Sequence, residues 1–211
     1  MIINNSIKRL LQYRICLERL REMGFERIFS YNLGREAGVT AEQVRKDFSQ
    51  FGIRGKKKGE YCIEELLDNL NDIFGKNEQE DVILVGMGNI GKALARYECG
   101  FVKKRKYIIA AFDIDPSKYK KNADVQVLPM EMMPRFIRDN GITVAIIAVP
   151  GISAQDVCNQ LIDCGIRGIM NFAPIILKAP PEIVIDNINL CNSLEGVIHC
   201  AKRGKDDFGC E

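Results

Sequence analysis

The sequence predicts an α/β protein with an N-terminal winged helix-turn-helix and a C-terminal Rossmann-type parallel sheet. Three observations carry this prediction. The first 75 residues show helical patterns interrupted by glycines. From residue 82 onward apolar runs alternate with helical patterns, which is typical of a parallel sheet, and a glycine motif directly follows the first run. We expect a domain over residues 1–76, a second over 81–190, and a C-terminal helix and tail over 191–211.

The predicted N-terminal domain begins and ends with an amphipathic helix. Helical spacing predicts the first over residues 6–23, ended by Gly24, and the second after residue 62. The apolar positions of the first are Ile7, Leu10, Leu11, Ile15, Leu17 and Leu20, and those of the second are Ile63, Leu66, Leu67, Leu70, Ile73 and Phe74.

Two short helices between them make a helix-turn-helix pattern. Ser30 is a candidate cap for a helix over residues 31–37, which Gly38 ends. The segment Thr40–Gln43 fits a capping box for the next helix, which reaches about Phe51. Helices separated by so short a turn are typical of DNA-binding domains.

Basic residues are concentrated after this turn. Residues 45–59 hold six basic side chains and one acid, and residues 52–61 form a glycine-punctuated loop that we expect to be a β-hairpin wing. A helix presenting Arg45 and Lys46 beside a basic wing is the electrostatic pattern of duplex DNA binding. A solvated basic turn without a ligand is the alternative. The basic candidates are Arg45, Lys46, Arg54, Lys56, Lys57 and Lys58.

The glycine motif predicts a dinucleotide site. Strand 82–85 runs into Gly86, Gly88 and Gly91, and a helical pattern over 89–98 follows. In this setting the glycines allow a tight turn, close approach of a pyrophosphate and close helix–strand packing. The helix N-terminus offers free N–H groups and a partial positive charge to phosphates.

An acidic residue stands where the adenosine ribose is expected. A second apolar run, 107–112, ends at Asp113, which is 22 residues past Gly91. A carboxylate at this spacing binds ribose hydroxyls and favours NAD over NADP. The alternative is an apolar α/β unit with a purely structural glycine turn.

The rest of the chain completes the alternation. Further strands are predicted over 124–128, 143–149, 166–170 and 182–186, with helices over 130–139 and 153–163. The continuous apolar run before Pro150 suits a strand that is buried on both faces. A last amphipathic helix over 191–203 follows the final strand, so it packs either on its own domain or on a second subunit.

Composition excludes several classes. The 211 residues carry a net charge of +2, eight scattered cysteines and a single histidine, His199. We therefore expect no metal site and reduced thiols, with a redox-active thiol pair as the alternative. We expect a cytoplasmic protein, because no apolar stretch approaches the ~20 residues of a membrane span and no signal-peptide core is visible.

The order of these motifs resembles the Rex family of redox-sensing transcriptional repressors over most of the chain. Five segments carry the resemblance: Gln43–Ser49 with Phe51 and Gly52, Gly86–Gly91, Ala110–Pro116, Ile146–Pro150 and Gly168–Pro174. The resemblance implies a homodimer with swapped C-terminal helices. It also implies binding of a palindromic operator and release of that DNA by NADH.

The resemblance also assigns residues to sites. Arg45 and Lys46 would lie on the recognition helix, with Gln43 and Ser49 as further candidates, and Arg54 and Lys56–Lys58 would belong to the wing. The cofactor-binding candidates are Gly86, Met87, Gly88, Asn89, Ile90, Gly91, Tyr97, Asp113, Val149, Pro150, Asn171, Phe172, Ala173 and Pro174.

Some positions depart from the family pattern. Relatives pair the tyrosine at position 97 with an arginine of the first helix and an aspartate of the partner chain, and these positions hold Ile15 and Asn189 here. A neutral amide cannot form the same charge-assisted pair. The expected function is a repressor that senses the NADH/NAD⁺ ratio. The alternatives are a regulator with a lost or altered NADH response and an NAD-dependent dehydrogenase. An enzyme is disfavoured because no acid–base group is evident.

Overall fold

The computed structural model describes residues 4–55, 59–75, 81–96, 108–120 and 125–203. These residues fall into two compact units, one N-terminal and one C-terminal, which divide near residue 80. Among the described residues, no helix has the length and apolar character needed to cross a membrane.

The N-terminal unit is a helical domain with a two-stranded sheet. Its elements are α1 (Asn5–Glu22), β1 (Arg27–Phe29), α2 (Ser30–Ala37), α3 (Ala41–Gln50), β2 (Glu60–Cys62) and α4 (Ile63–Ile73). All four predicted helices are present. Their apolar faces meet in one core, in which Tyr13, Phe48 and Tyr61 stack edge to face. The core therefore joins α1, α3 and β2.

Two local predictions for this unit are wrong. Ser30 does not cap α2, because it is the first helical residue and the cap position belongs to Phe29. The described part of the expected hairpin over 52–61 is not a hairpin: β2 pairs antiparallel with β1 instead. Three residues are too few for a strand pattern to show in the sequence. Thr40 does cap α3, accepting a hydrogen bond from the Gln43 N–H at 3.1 Å.

The C-terminal unit is a doubly wound sheet. Its elements are β3 (Val82–Val85), α5 (Asn89–Ala95), β4 (Ile108–Asp113), β5 (Gln126–Pro129), α6 (Met133–Asn140), β6 (Val144–Ile147), α7 (Gly151–Asp163), β7 (Gly168–Asn171), β8 (Val184–Asn187) and α8 (Leu190–Arg203). The six strands are parallel in the order β5-β4-β3-β6-β7-β8. The predicted Rossmann-type sheet is confirmed, and each strand lies within about two residues of its predicted position.

The strand order reverses at β3. The chain runs from β3 outward through β4 to β5, then returns to the other side of β3 with β6. Ligands of such sheets bind in the crevice at the carboxyl ends of the strands, where the order reverses. The glycine motif lies at this point, because Gly86 directly follows β3. Buried apolar clusters cover both faces of the sheet.

Candidate functional site

The glycine turn after β3 is wedged between the neighbouring strands. The Gly86 N–H donates to the Phe112 carbonyl at 2.8 Å, and the Ala148 N–H donates to the Val85 carbonyl at 2.8 Å. Gly86 has a φ of +100°, and a Cβ there would lie 2.6 Å from the Ala148 oxygen. The left-handed conformation and the tight contact both require glycine.

Glycine is required at positions 91 and 88 for different reasons. A Cβ on Gly91 would lie 1.9 Å from the Gly86 oxygen, so the fold itself demands this glycine. A Cβ on Gly88 would meet nothing within 4 Å, so no protein atom explains glycine there. Gly88 is the N-cap residue of α5 and makes no side-chain cap bond. Open space beside an uncapped helix start suits the close approach of a pyrophosphate.

Asp113 closes the other side of the turn and is only 6% exposed. Its Oδ2 accepts from the Met87 N–H at 2.7 Å, and its Oδ1 accepts from the Asp115 N–H at 2.9 Å. Burial opposes ionisation of this carboxyl, but the two N–H donors and Lys118 outweigh burial and hold its pKa below the ordinary value. Asp113 is therefore a carboxylate that also ties the end of β4 to the glycine turn.

Sequence reasoning missed Lys118. Its Nζ lies 3.2 Å from Oδ1 and 3.0 Å from Oδ2 of Asp113. A short turn over Pro116–Lys118 directs it there, with Asp115 accepting from the Ser117 N–H at 3.0 Å. An aspartate followed by proline is a turn signal, so the return of the chain toward Asp113 was available from the sequence.

The segment after β7 is shaped by Asn171, which is fully buried. Its Nδ2 donates to the Ile175 carbonyl and to Asn187 Oδ1, both at 2.8 Å, and its Oδ1 accepts from the Ala173 N–H at 2.9 Å. Asn171 therefore holds the segment to Pro174 in shape, and its amide is committed to protein atoms.

The remaining cofactor candidates lie around the same edge. Val149 and Pro150 connect β6 to α7, Phe172 is half-buried, and Pro174 is exposed. Met87 is half-buried in the glycine turn, while Asn89 and Ile90 are exposed on the first turn of α5. Tyr97 lies outside the described residues. The structure thus brings the described candidates to the carboxyl ends of β3, β4, β6 and β7.

Helix α3 presents the predicted DNA-contacting residues. Arg45, Lys46 and Ser49 are exposed. Arg45 Nη1 donates to Ser30 Oγ on α2 at 3.1 Å, so α2 supports this guanidinium. Gln43 is half-buried, and its Nε2 donates to Asp47 Oδ1 at 2.9 Å. Gln43 is therefore engaged within the domain, whereas the other three side chains face solvent.

The described part of the basic loop over residues 52–61 lies against the same unit. Arg54 is exposed, and Lys56, Lys57 and Lys58 lie outside the described residues. A Cβ on Gly55 would lie 2.8 Å from the Tyr61 ring, and one on Gly59 would lie 3.2 Å from Ser30 Oγ. These glycines bring the base of the loop close to β2 and to the residue that holds Arg45.

The last helix leaves an apolar stripe exposed. Leu190, Leu194, Val197 and Ile198 of α8 are all at least 43% exposed. Asn189 precedes the helix, and its Oδ1 accepts from the Asn192 N–H at 3.0 Å. The Asn189 side chain therefore caps α8. Among the described residues, no group of three or more His, Cys, Asp or Glu side chains could hold a metal ion.

A helix-turn-helix unit with exposed basic residues, joined to a Rossmann-type unit with an open glycine turn, defines the class of DNA-binding regulators that carry a nucleotide-binding domain. Residues 2–49 match the family model described as putative DNA-binding protein N-terminus. Residues 77–175 match the model described as CoA binding domain.

Whole-chain comparisons give the family. The redox-sensing transcriptional repressor Rex of Carboxydothermus hydrogenoformans is 38% identical over 191 residues, which cover 90% of this chain and 91% of that protein. Rex of Clostridium perfringens strain 13 is 37% identical over 194 residues, covering 92% and 91%. The chain therefore belongs to the Rex family of redox-sensing transcriptional repressors.

Solved structures agree with this assignment. RSP, a Rex-family repressor, matches with a TM-score of 0.82 and 37% identity over 92% of this chain and 91% of its own. RSP in complex with β-NAD⁺ and operator DNA matches with a TM-score of 0.84 and 36% identity over 92% and 89%. RSP in complex with β-NADH gives 0.81 and 36% over 92% and 91%.

Proposed function

We propose that this protein represses transcription by binding a palindromic operator as a homodimer and that NADH releases it from the DNA. The observation that supports cofactor binding is Gly88, whose missing Cβ leaves open space at the point where the strand order reverses. Structures of RSP with NADH, and with NAD⁺ and operator DNA, support the proposal.

The N-terminal unit supplies the DNA contacts. Arg45, Lys46 and Ser49 on α3 face solvent and would enter the major groove, with Arg54 and Lys56–Lys58 along the backbone or the minor groove. Arginine can read guanine through two hydrogen bonds, whereas lysine acts as a point charge. We assign residues 1–76 to this domain.

The C-terminal unit, residues 81–190, supplies the NAD(H) site. Gly86–Gly91 would hold the pyrophosphate, and Asp113 would bind the adenosine ribose. The nicotinamide would lie against Val149, Pro150 and the segment from Asn171 to Pro174, with Tyr97 beside it. The cofactor supplies the signal, because its nicotinamide ring differs in charge and shape between the reduced and oxidised forms. The residues around it translate that difference into a difference in affinity.

Dimerisation links the two sites. The exposed stripe of α8 needs a partner surface, and we propose that residues 191–211 exchange with a second copy of the chain. Two recognition helices must match half-sites about 34–36 Å apart or a multiple of that distance. A cofactor that binds more tightly to a dimer with another spacing lowers the population of the DNA-binding dimer. The size of this shift is limited by the ratio of the cofactor's affinities for the two arrangements. A cytoplasmic location follows from this role.

We further propose that the site binds NADH without turning it over. Hydride transfer to a carbonyl needs a positioned proton donor. Asp113 and Lys118 are bonded to each other, the Asn171 amide is committed to its own loop, and His199 lies on α8. A dehydrogenase is therefore the weaker interpretation.

A second candidate is a regulator whose NADH response is altered. Ile15 is exposed on α1 where relatives carry an arginine, and Asn189 uses its amide oxygen to cap α8. This pair lacks the two charges of the relatives. DNA binding that ignores NADH would favour this candidate.

One titration separates these functions. Fluorescence anisotropy would follow the protein on a labelled palindromic operator at fixed salt, with NADH and NAD⁺ added separately. Release by NADH alone supports the redox sensor. Tight binding that ignores both cofactors supports the altered regulator, and absence of operator binding on any palindrome of the family type contradicts both. Protein-dependent oxidation of NADH in the presence of a carbonyl substrate, which would accept the hydride, would support an enzyme.

A further inference from the structure

We infer that Tyr31 binds a phosphate of the operator backbone through its hydroxyl. The inference deepens the proposed DNA-binding function and rests on it. Its basis is the position of Tyr31 at the start of α2, next to the residue that supports Arg45 and against the outer face of the two-stranded sheet. The group that makes the contact is neutral, which distinguishes it from the basic side chains of the same unit.

The ring of Tyr31 is exposed but held in place. Its exposed fraction is 61%, and it stacks on the Phe29 ring with 5.7 Å between the ring centroids and 20° between the ring planes. Stacking at this distance is favourable and restricts the orientations of the ring. The Tyr31 hydroxyl has no hydrogen-bond partner among the described residues. It is therefore a fixed donor that is available to a ligand.

Phe29 supports the Tyr31 ring from the sheet. Ile28 is buried in the core, so the alternation of side chains along β1 places its neighbours Arg27 and Phe29 on the outer face. Phe29 lies opposite Glu60 of β2, and the Glu60 carboxylate accepts a hydrogen bond from Arg27 Nη1 at 3.1 Å. The acid on this face is thus paired with an arginine of the same face.

The start of α2 joins the two elements that are proposed to enter the grooves of the DNA. Ser30, which precedes Tyr31, accepts a hydrogen bond from Arg45 Nη1 on α3 at 3.1 Å. The same Ser30 Oγ lies 3.2 Å from the position that a Cβ on Gly59 would take, so the end of the basic loop also meets the start of α2. Tyr31 is therefore next to the point where the recognition helix and the loop come together.

A duplex bound by both elements brings a phosphate strand to this point. One sugar–phosphate strand separates the major groove from the minor groove. In helix-turn-helix proteins the second helix lies in the major groove while the first crosses the backbone. Tyrosine is among the side chains that donate to phosphate oxygens, and such contacts fix the register of the protein without reading the sequence. With Arg45 in the major groove, the Tyr31 hydroxyl is placed to donate to a phosphate at the edge of that groove.

Tyr31→Phe removes the hydroxyl and keeps the ring that stacks on Phe29, so Tm should be unchanged. Tyr119→Phe is the matched control, because it removes a phenolic hydroxyl from the C-terminal unit. Fluorescence anisotropy of the full-length protein without cofactor measures binding to labelled palindromic operator and to random DNA of the same length, at several salt concentrations.

Tyr31→Phe should weaken binding roughly tenfold, and by a similar factor on both DNAs, as expected for the loss of a hydrogen bond to a charged group. The slope of log affinity against log salt concentration should stay at its wild-type value, because a neutral hydroxyl releases no counterion from the DNA. Tyr119→Phe should bind both DNAs as wild type does.

A second measurement locates the phosphate. Operators in which one phosphate at a time is replaced by a neutral methylphosphonate are titrated with wild type and with Tyr31→Phe. Two groups in contact lose less affinity together than the product of their separate losses. At one phosphate of each half-site, the replacement should therefore weaken binding of wild type markedly more than binding of Tyr31→Phe.

Two outcomes overturn the inference alone. One is wild-type operator affinity in Tyr31→Phe, and the other is an equal effect of every methylphosphonate on the two proteins. In both cases operator binding by the wild-type protein would still support the proposed function. A wild-type protein that binds no palindromic operator contradicts the inference and the proposed function together.

Discussion

The guanidinium of Arg9 on α1 donates two parallel hydrogen bonds to the carboxylate of Asp47 on α3. Nε bonds to Oδ2 at 2.6 Å, and Nη2 bonds to Oδ1 at 2.7 Å. Asp47 is 1% exposed and also accepts from Tyr13 Oη at 2.9 Å and from Gln43 Nε2 at 2.9 Å. The helix that presents Arg45 and Lys46 is therefore clamped to α1 from its buried side.

Arg9→Ala should destabilise the N-terminal unit by about 2–4 kcal/mol, because it leaves a buried carboxylate without its cation. The free energy of unfolding from urea titrations measures this. The matched control is Arg19→Ala, which breaks an ion pair with Glu36 in which the arginine is 59% exposed. That change should cost no more than about 1 kcal/mol. Equal losses in the two variants would contradict the clamp.

The same contacts of Asp47 make the free energy of unfolding fall as the pH becomes acidic. Burial opposes ionisation of Asp47, but the hydrogen bonds from Arg9, Tyr13 and Gln43 outweigh it and hold its pKa below the ordinary value. A lowered folded-state pKa stabilises the fold fully above the unfolded value of about 3.9, and this contribution is lost as the pH falls through the folded pKa.

The free energy of unfolding of the wild-type protein should therefore fall more steeply below about pH 4 than that of Asp47→Asn, in which this group cannot titrate. Urea titrations at several pH values between 6 and 3 measure both slopes. Asp113 has a lowered pKa as well but is present in both proteins, so the difference isolates Asp47. Parallel curves would show that Asp47 has the same pKa in the folded and unfolded states.

Much of the fold followed from periodicity. Apolar spacing located the four helices of the N-terminal unit, and the alternation of apolar runs predicted the parallel sheet, because both patterns depend on residues close in sequence. The glycines were predicted for the same reason. Gly86, Gly88 and Gly91 lie within six residues of each other, so their spacing in the sequence is enough to predict the turn.

The side-chain partners did not follow. Asp47 joins residues 34 and 38 positions away, and Ser30 meets Arg45 from a neighbouring helix. Such pairs depend on how helices pack, which spacing along the chain does not encode. Lys118 was missed for a different reason: it lies five positions after Asp113, and only the turn over Pro116–Lys118 brings its ammonium back to that carboxylate.

Gly88→Ala and Gly91→Ala should fail in different ways. A Cβ at Gly88 meets no protein atom, and its φ of −75° suits any residue, so this variant should fold with a Tm within about 2 °C of wild type. The methyl group should nonetheless weaken NADH binding at least tenfold by occupying the space for the pyrophosphate. Gly91→Ala places a Cβ 1.9 Å from the Gly86 oxygen and should lower Tm strongly.

Thermal unfolding and NADH titration of both glycine variants provide the test. Operator binding without cofactor should survive in Gly88→Ala, which separates loss of the ligand from loss of the fold. Wild-type NADH affinity in Gly88→Ala would show that the ligand approaches the sheet elsewhere.

Arg45→Ala should weaken operator binding at least tenfold while leaving NADH affinity unchanged. The guanidinium is exposed on α3 and supported by Ser30, so it is preorganised for a bidentate contact to a base or a phosphate. Arg135→Ala is the matched control, since it removes one exposed arginine from the other unit and should change operator affinity less than twofold. Anisotropy on operator and on random DNA of the same length measures both.

A base contact predicts that Arg45→Ala loses more affinity on the operator than on random DNA. A phosphate contact predicts equal losses and a salt dependence lowered by about one charge. If Arg45→Ala and Arg135→Ala bind both DNAs with equal affinity, Arg45 does not contact the DNA.

Val197→Glu should dissociate the proposed homodimer. Val197 lies on the exposed apolar stripe of α8 with Leu194 and Ile198, and a carboxylate there would be buried in any interface formed by that stripe. The control is Asn192→Glu, which places the same charge on the opposite face of α8. Sedimentation velocity should show a monomer for Val197→Glu and a dimer for wild type and Asn192→Glu.

Operator binding gives the second readout. A monomer engages one half-site at a time, so Val197→Glu should lose the affinity that comes from joining two recognition helices, a factor of 10² or more. NADH binding within each chain requires no second recognition helix and should persist. A monomeric wild-type protein would contradict the proposed homodimer. A Val197→Glu dimer that binds operator normally would show that a surface other than the α8 stripe joins the two copies.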